Sequence, residues 1–329
     1  MNGAQRQPLP GGRWFFQHGP IDCVIGVDGS PDAVASALES AWQRFQPLLG
    51  ELAGELPLLR ADLGAPACDS VAFRGAVAQR MVNACRPYAT EGHFITAMAA
   101  VAGSVAQELI AHFNRPGIQR AYVNNGGDIA LHLAPGEVFD IGLVVDPCVA
   151  AAGLDGQFRV AAESGVRGVA TSGWRGRSLS LGIADSVTVL AANAAQADAA
   201  ATMIANAVNI DVPALRRLPA NQVRDDSDLG ERLVTVGVGR LSAPQVATAL
   251  AAGLAQAEHE FASGRAHAAL LCLQGQTRHC TGPAWALQGP HRTSPILRSS
   301  VPFSSPFSGS IGAPYAPRSP AQRFTLLGA

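Results

Sequence analysis

Four short segments gather the side chains that could do chemistry. In Asn124-Asn125-Gly126-Gly127-Asp128, amide and carboxylate groups flank two glycines, so a backbone could approach a ligand closely while Asn and Asp supply donors and acceptors. Asn-Gly is also the commonest hairpin signal, and a plain tight turn is the alternative. The run Val169 to Ser178 holds Thr171, Ser172, Gly173, Arg175, Gly176 and Arg177, two hydroxyls and two guanidinium groups among flexible amides. That is the composition of a phosphate cradle built without lysine, or else of a polar surface loop around Trp174. In Ala197-Asp198-Ala199-Ala200-Ala201-Thr202, a carboxylate and a hydroxyl share one helix face at spacing i, i+4. Such hard oxygens suit Mg²⁺ or Ca²⁺, whereas a salt bridge or solvent would equally satisfy Asp198. The acid-rich Arg224-Asp225-Asp226-Ser227-Asp228-Leu229-Gly230 reads most simply as a solvated loop or helix cap, with weak cation binding as the alternative.

What the chain lacks narrows the chemistry further. None of its 24 positive charges is a lysine, which excludes a Schiff-base lysine, a pyridoxal-phosphate anchor and a Walker A lysine. Any anion must be met by arginine, backbone amides, hydroxyls or a metal. No H-E-x-x-H or G-x-S-x-G pattern occurs, and the 6 cysteines lack the spacing of a zinc site or a disulfide framework. A net charge of −1 gives no footprint for nucleic acid, and no run is apolar enough for a membrane span, so a cytoplasmic protein is expected.

These segments need elements to position them. Apolar residues make up 48% of the 329 positions, enough for a substantial core. Strands are expected at Ile21–Val27, Ala121–Val123, Ile129–Leu133, Asp140–Val145, Ser186–Ala191, Leu233–Val238 and Ala268–Leu273. A helix should start at Ser30-Pro31, with further helices over Val71–Cys85, Thr96–Phe113, Asn193–Asn209 and Pro244–Ser263, and a loop over Gly168–Gly176. Strands and helices alternate irregularly, which predicts an α+β layered fold. Composition changes near Gly282: residues 283–329 are rich in Pro and Ser and contain four arginines and no acid, so they are expected to form a disordered tail after a domain spanning 1–282. Without those arginines the remainder carries about −5.

Taken in order, the segments resemble the UPF0280 family, a branch similar to the ApbE flavin transferases. The resemblance runs from about residue 10 to 280 and rests on His18-Gly19-Pro20-Ile21-Asp22, Ala99 to Ala106, Val123 to Ala130, Ala170 to Asp185 followed by Ser186-Val187-Thr188-Val189-Leu190, Asp198 to Asn206, and Ser227-Asp228-Leu229-Gly230. It implies an ApbE-like layered fold with mixed or antiparallel sheets and packed helices, binding FAD with Mg²⁺ and able to transfer FMN to a Thr or Ser of an acceptor flavoprotein. Carried over residue by residue, it implies Ala100, Asp198 and Thr202 as metal ligands. It also implies Gly126, Gly127 and Asp128, with Asn125 beside them, and Thr171, Ser172 and Gly173 at the nucleotide; because the chain has no lysine, Arg175 and Arg177 are expected to add charge there.

The chain departs from that pattern in two places. Ala102-Gly103-Ser104 stands where ApbE proteins carry Ala-Lys-Gly, and Arg175 to Asp185 replaces a His-Ile-Ile-Asp-Pro segment. The expectation is therefore a Mg²⁺-dependent protein for a flavin or other diphosphate nucleotide, a flavinyl transferase with a rebuilt site if it is an enzyme. The alternatives are a non-catalytic flavin-binding or assembly protein, and a different enzyme acting on an anionic metabolite.

Overall fold

The computed structural model describes residues 3–65, 73–143, 156–282 and 326–327. Nine antiparallel strands form its main sheet: β1 (Gln5–Leu9), β2 (Arg13–His18), β3 (Ile21–Gly29), β4 (Ile118–Asn125), β5 (Asp128–Leu133), β8 (Gly168–Ser172), β9 (Ser186–Ala191), β12 (Ala268–Leu273) and β13 (Gln276–Thr281), in that spatial order. A smaller sheet is built from β6 (Val138–Leu143), β7 (Gly156–Ala161) and the two-residue β14 (Leu326–Leu327), and a hairpin from β10 (Leu215–Pro219) and β11 (Leu233–Val238). Six α-helices accompany them: α1 (Pro31–Leu59), α2 (Ala76–Thr90), α3 (Val101–Ile110), α4 (Ala194–Ala207), the one-turn α5 (Ala220–Val223) and α6 (Ala243–Ala262). The class is α+β, as the irregular alternation predicts.

Alternating side chains explain the layering. Along β12, Ala269, Leu271 and Leu273 join the core formed with α4 and α6, while Ala268 and Leu270 face the opposite cluster with Phe139, Ile141 and Val160 of the small sheet. The middle strands are thus buried on both faces. A third cluster packs α1, α2 and α3 onto β2, β3 and β4 through Phe16, Ile25, Phe45, Met81 and Leu109. Between α2 and α6, fully buried Glu260 accepts hydrogen bonds from Tyr88 Oη at 2.8 Å, Gln256 Nε2 at 2.6 Å and Arg265 Nε at 2.6 Å.

Most expected elements are found, with informative differences. Pro31 opens α1 behind Ser30, although that hydroxyl makes no capping bond. The segment Thr96–Phe113 divides into a 3₁₀ turn at Ala97–Ala100, α3, and a second short turn at Ala111–Phe113. The loop expected over Gly168–Gly176 is half strand. Val169 and Thr171 favour β structure, and β5 and β9 supply a partner on each side. Residues 144 and 145 of one expected strand, and 71 and 72 of one expected helix, lie outside the described residues. Of the expected tail, only Leu326–Leu327 is described, pairing with Asp140 and Ile141. Among the described residues, no helix is long and apolar enough to cross a membrane.

Candidate functional site

The Asn-Gly-Gly-Asp segment is the hairpin turn between β4 and β5, closed by the pair Asn125 and Asp128. Gly126 and Gly127 adopt φ of 67° and 118°, which side-chain-bearing residues rarely adopt. Asn124 Oδ1 accepts the Gly127 amide at 2.9 Å, and buried Asn125 donates from Nδ2 to the Ala102 carbonyl at 3.2 Å. The hairpin reading is therefore correct. It also places the turn against the start of α3.

That helix start receives the second element. Asp198, on α4, accepts the Gly103 amide on Oδ2 at 2.9 Å and is further held by the Ala102 amide. A carboxylate at a helix N-terminus meets unsatisfied N–H groups and the positive end of the helix dipole. The partner that the apolar helix around Asp198 requires is thus the first turn of α3. Such an approach depends on Gly103, because a Cβ built there would lie 2.2 Å from the Ala194 carbonyl oxygen. No side chain fits at that position unless the Ala194 backbone moves.

Asp128 lies beside Asp198. Burial raises the Asp128 carboxyl to about 7, against the opposing pull of the Thr171 amide and the Arg177 charge. Asp198 is pushed well above the ordinary carboxylate range, chiefly by burial and then by the negative charge of Asp128, with the two α3 amides pulling it back. Thr202 is half-buried one helical turn along α4, and buried Ala100 caps α3 immediately before the amides that hold Asp198. Among the described residues no three His, Cys, Asp or Glu side chains gather into a metal cage. Mg²⁺ needs less, since it is commonly held by one or two carboxylates and completes its shell with water and ligand phosphates. Asp198 and Thr202 share one face of α4, Ala100 stands at the start of α3, and a second carboxylate, Asp128, lies alongside Asp198.

The Thr-Ser-Gly segment ends β8 next to this pair. The Thr171 amide donates to Asp128 Oδ1 at 3.3 Å, and its hydroxyl shares a hydrogen bond with Thr188 at 2.9 Å. After Gly173 the chain arches out and returns, and its two arginines part company. Arg175 donates from Nε to Asp185 Oδ1 at 2.8 Å, with its guanidinium 5.3 Å from the Trp174 ring centroid. Buried Asp185 also accepts Trp174 Nε1 at 3.1 Å and the Gln274 amide at 2.5 Å. Arg177 instead crosses the glycine turn, its Nη2 2.1 Å from where a Gly126 Cβ would stand, and its Nη1 3.5 Å from Asp22 Oδ2.

The acid-rich segment behaves as a loop in which Asp226 and Asp228 have protein partners. Asp226 pairs with Arg60 at 2.9 Å, and Asp228 accepts the Thr96 hydroxyl, tying the loop to the residue before the Ala97–Ala100 turn. Arg224 Nη2 donates to the Arg177 carbonyl at 3.0 Å. On this loop's far side, Arg232 lies 3.4 Å over the Phe94 ring centroid in a concavity of about 580 Å³. Sequence reasoning assigned no role to Asp22 or Asp185. Asp22 lay within the matched His18–Asp22 motif but carried no chemical signal, and only folding brings it to Arg177.

The family model described as AbpE bacteria matches residues 6–279. Curated relatives include a UPF0280 protein of Methanothermobacter thermautotrophicus, 41% identical over 114 residues covering 34% of this chain and 42% of that protein. A UPF0280 protein of Methanopyrus kandleri is 38% identical over 163 residues, covering 49% and 61%. The chain spans about half the length of the curated relatives it matches. Among solved structures, an ApbE protein of Thermotoga maritima aligns over 79% of each chain at 16% identity and a TM-score of 0.34. The apo flavinyl transferase ApbE of Pseudomonas stutzeri aligns over 86% of this chain and 94% of its own at 12% identity and a TM-score of 0.39. The UPF0280 relatives accord with the resemblance read from the motifs, and the match over residues 6–279 places the chain in the AbpE bacteria family.

Proposed function

We propose that this chain binds a diphosphate-bearing nucleotide, FAD or a related flavin, together with Mg²⁺, and that it serves flavinyl transfer to an acceptor protein. The observation that carries this reading is the pair of half-buried carboxylates, Asp128 and Asp198, set between the first turn of α3, the Gly126–Gly127 turn and the Thr171-Ser172-Gly173 segment. Two neighbouring carboxylates partly withdrawn from water are costly unless a proton or a cation is shared between them. Asp198, Thr202 and the Ala100 carbonyl would hold the ion, which as a Lewis acid would neutralise diphosphate charge. Asn125, Gly126 and Gly127 offer a turn that a ligand can approach, Thr171 and Ser172 offer hydroxyls, and Arg177 supplies fixed positive charge. Arg175 contributes through the loop it anchors on Asp185. In the transfer, a P–O bond to the acceptor hydroxyl would form as the P–O bond to AMP breaks, and the hydroxyl proton would be released. A cytoplasmic location and a flavoprotein acceptor belong to the same proposal.

The test is calorimetric titration of FAD and ADP with and without Mg²⁺. Asp198→Asn keeps the shape and loses the charge, so it should weaken Mg²⁺-dependent binding at least tenfold, and Thr202→Val should act more mildly in the same direction. Unchanged affinity in both variants would sink the metal assignment. A second reading, a flavin binder without turnover, is favoured by Gly103, since the packing of α3 on α4 excludes the lysine found there in ApbE proteins. Release of AMP from FAD in the presence of Mg²⁺ separates the two.

A further inference from the structure

Arg177 is held far more loosely than its neighbour Arg175. Arg175 is committed to buried Asp185 and lies against Trp174. The Arg177 main chain is tied down by Arg224, yet its side chain is half exposed, reaches Asp22 only at 3.5 Å, and otherwise lies across the bare backbone of Gly126. Asp22 sits on β3 directly before Cys23, which pairs with Asn125, so the anchoring carboxylate flanks the same turn. From there the guanidinium charge acts on Asp128.

We propose that Arg177, steadied by Asp22 over the Gly126 turn, is the specificity-determining residue that admits a divalent cation together with an anionic ligand and disfavours the cation alone. The inference rests on the diphosphate reading of this site. Its warrant is the sign of the charges. A bare divalent ion entering beside Asp128 and Asp198 meets a resident positive charge and is repelled by it. An ion accompanied by diphosphate brings more negative charge than the ion neutralises, and the same guanidinium then attracts the complex. Arginine suits the task because its planar fork can bind phosphate oxygens in pairs.

Removing the charge should therefore move two affinities in opposite directions, which loss of a merely structural side chain would not do. Titration of the full-length protein with Mg²⁺ alone should show Arg177→Gln binding the ion roughly threefold or more tightly, the effect of one charge at short range in a partly screened site. Titration with ADP at saturating Mg²⁺ should show at least a tenfold loss, while riboflavin, which has no phosphate, should bind as before. Arg177→Glu should extend both changes in the same directions. A Mg²⁺ affinity that stays flat or falls across the series overturns the inference alone. Failure of the unaltered protein to bind ADP or FAD at all overturns the nucleotide reading and the anionic half of this inference with it.

Discussion

At the residue scale, two neighbouring half-buried carboxyls make the site a proton store. Asp128 has an ordinary pKa of 3.8 and is raised to about 7 in the fold, first by burial. The folded chain therefore binds this proton more tightly than the unfolded chain, and linkage requires the stability of the metal-free protein to fall as pH rises from near 4 through about 7. A cation entering beside Asp128 and Asp198 must displace the proton, so Mg²⁺ affinity should rise across that window. Melting temperatures between pH 5 and pH 8, with and without Mg²⁺, read both trends. Asp128→Asn should flatten the metal-free decline, and a variant profile identical to that of the unaltered protein would show that this carboxyl is not the raised group. Nothing local to Asp128 announces this in the sequence, where it is one residue of a hairpin turn. Its neighbour Asp198 is 70 positions away and is brought to it only by the packing of α3 on α4.

At the element scale, the site depends on how closely α3 and α4 approach. Gly103→Ala would drive a methyl into the Ala194 carbonyl, and backbone cannot swing aside as a flexible side chain can. The two helices would have to part, at about 1–3 kcal/mol for an overpacked contact. The Asp198 bond to the Gly103 amide would lengthen with them, so Gly103→Ala should lower both the melting temperature and Mg²⁺-dependent ADP affinity. Gly103→Lys should not restore the ApbE pattern, and a folded, ligand-competent Gly103→Lys protein would contradict the packing. Of the two helices that carry this contact, α4 was legible because it is a long, almost uniformly apolar, alanine-rich run bounded by Asn193. Among the strands that escaped notice, β1 (QRQPL), β13 (QTRHCT) and β10 (LRRLP) are polar edge or hairpin pieces, while β2 (RWFFQH), whose three consecutive aromatics mask any alternation, and β7 (GQFRVA) escaped as well. An edge strand needs no apolar alternation, since one flank and often one face meet solvent, so it leaves little periodic signal. Asp22 and Arg177 are likewise 155 positions apart, and strand order, unreadable from either segment, sets them side by side.

At the scale of the whole molecule, the site is held from one sheet and two helical layers, all within the first 282 residues. Asp22 comes from β3, Asp128 from β5, Thr171 from β8 and Asp198 from α4, so the groups of the candidate site gather near the centre of the nine-stranded sheet. The three apolar clusters among the described residues draw on no position beyond Cys280. After Gly282 the sequence turns to prolines, serines and arginines without a single acid, and its two described residues, Leu326–Leu327, pair with β6 at the edge of the small sheet. A two-residue edge pairing adds little to a sheet whose core side chains come from elsewhere. Deletion of residues 283–329 should accordingly lower the melting temperature by less than about 4 °C, on the order of 1–2 kcal/mol for a domain of this size. Mg²⁺-dependent ADP binding should persist in the shortened protein. A larger fall with binding intact would give the C-terminal segment a structural role through β6, whereas loss of binding at unchanged stability would mean that it reaches the site.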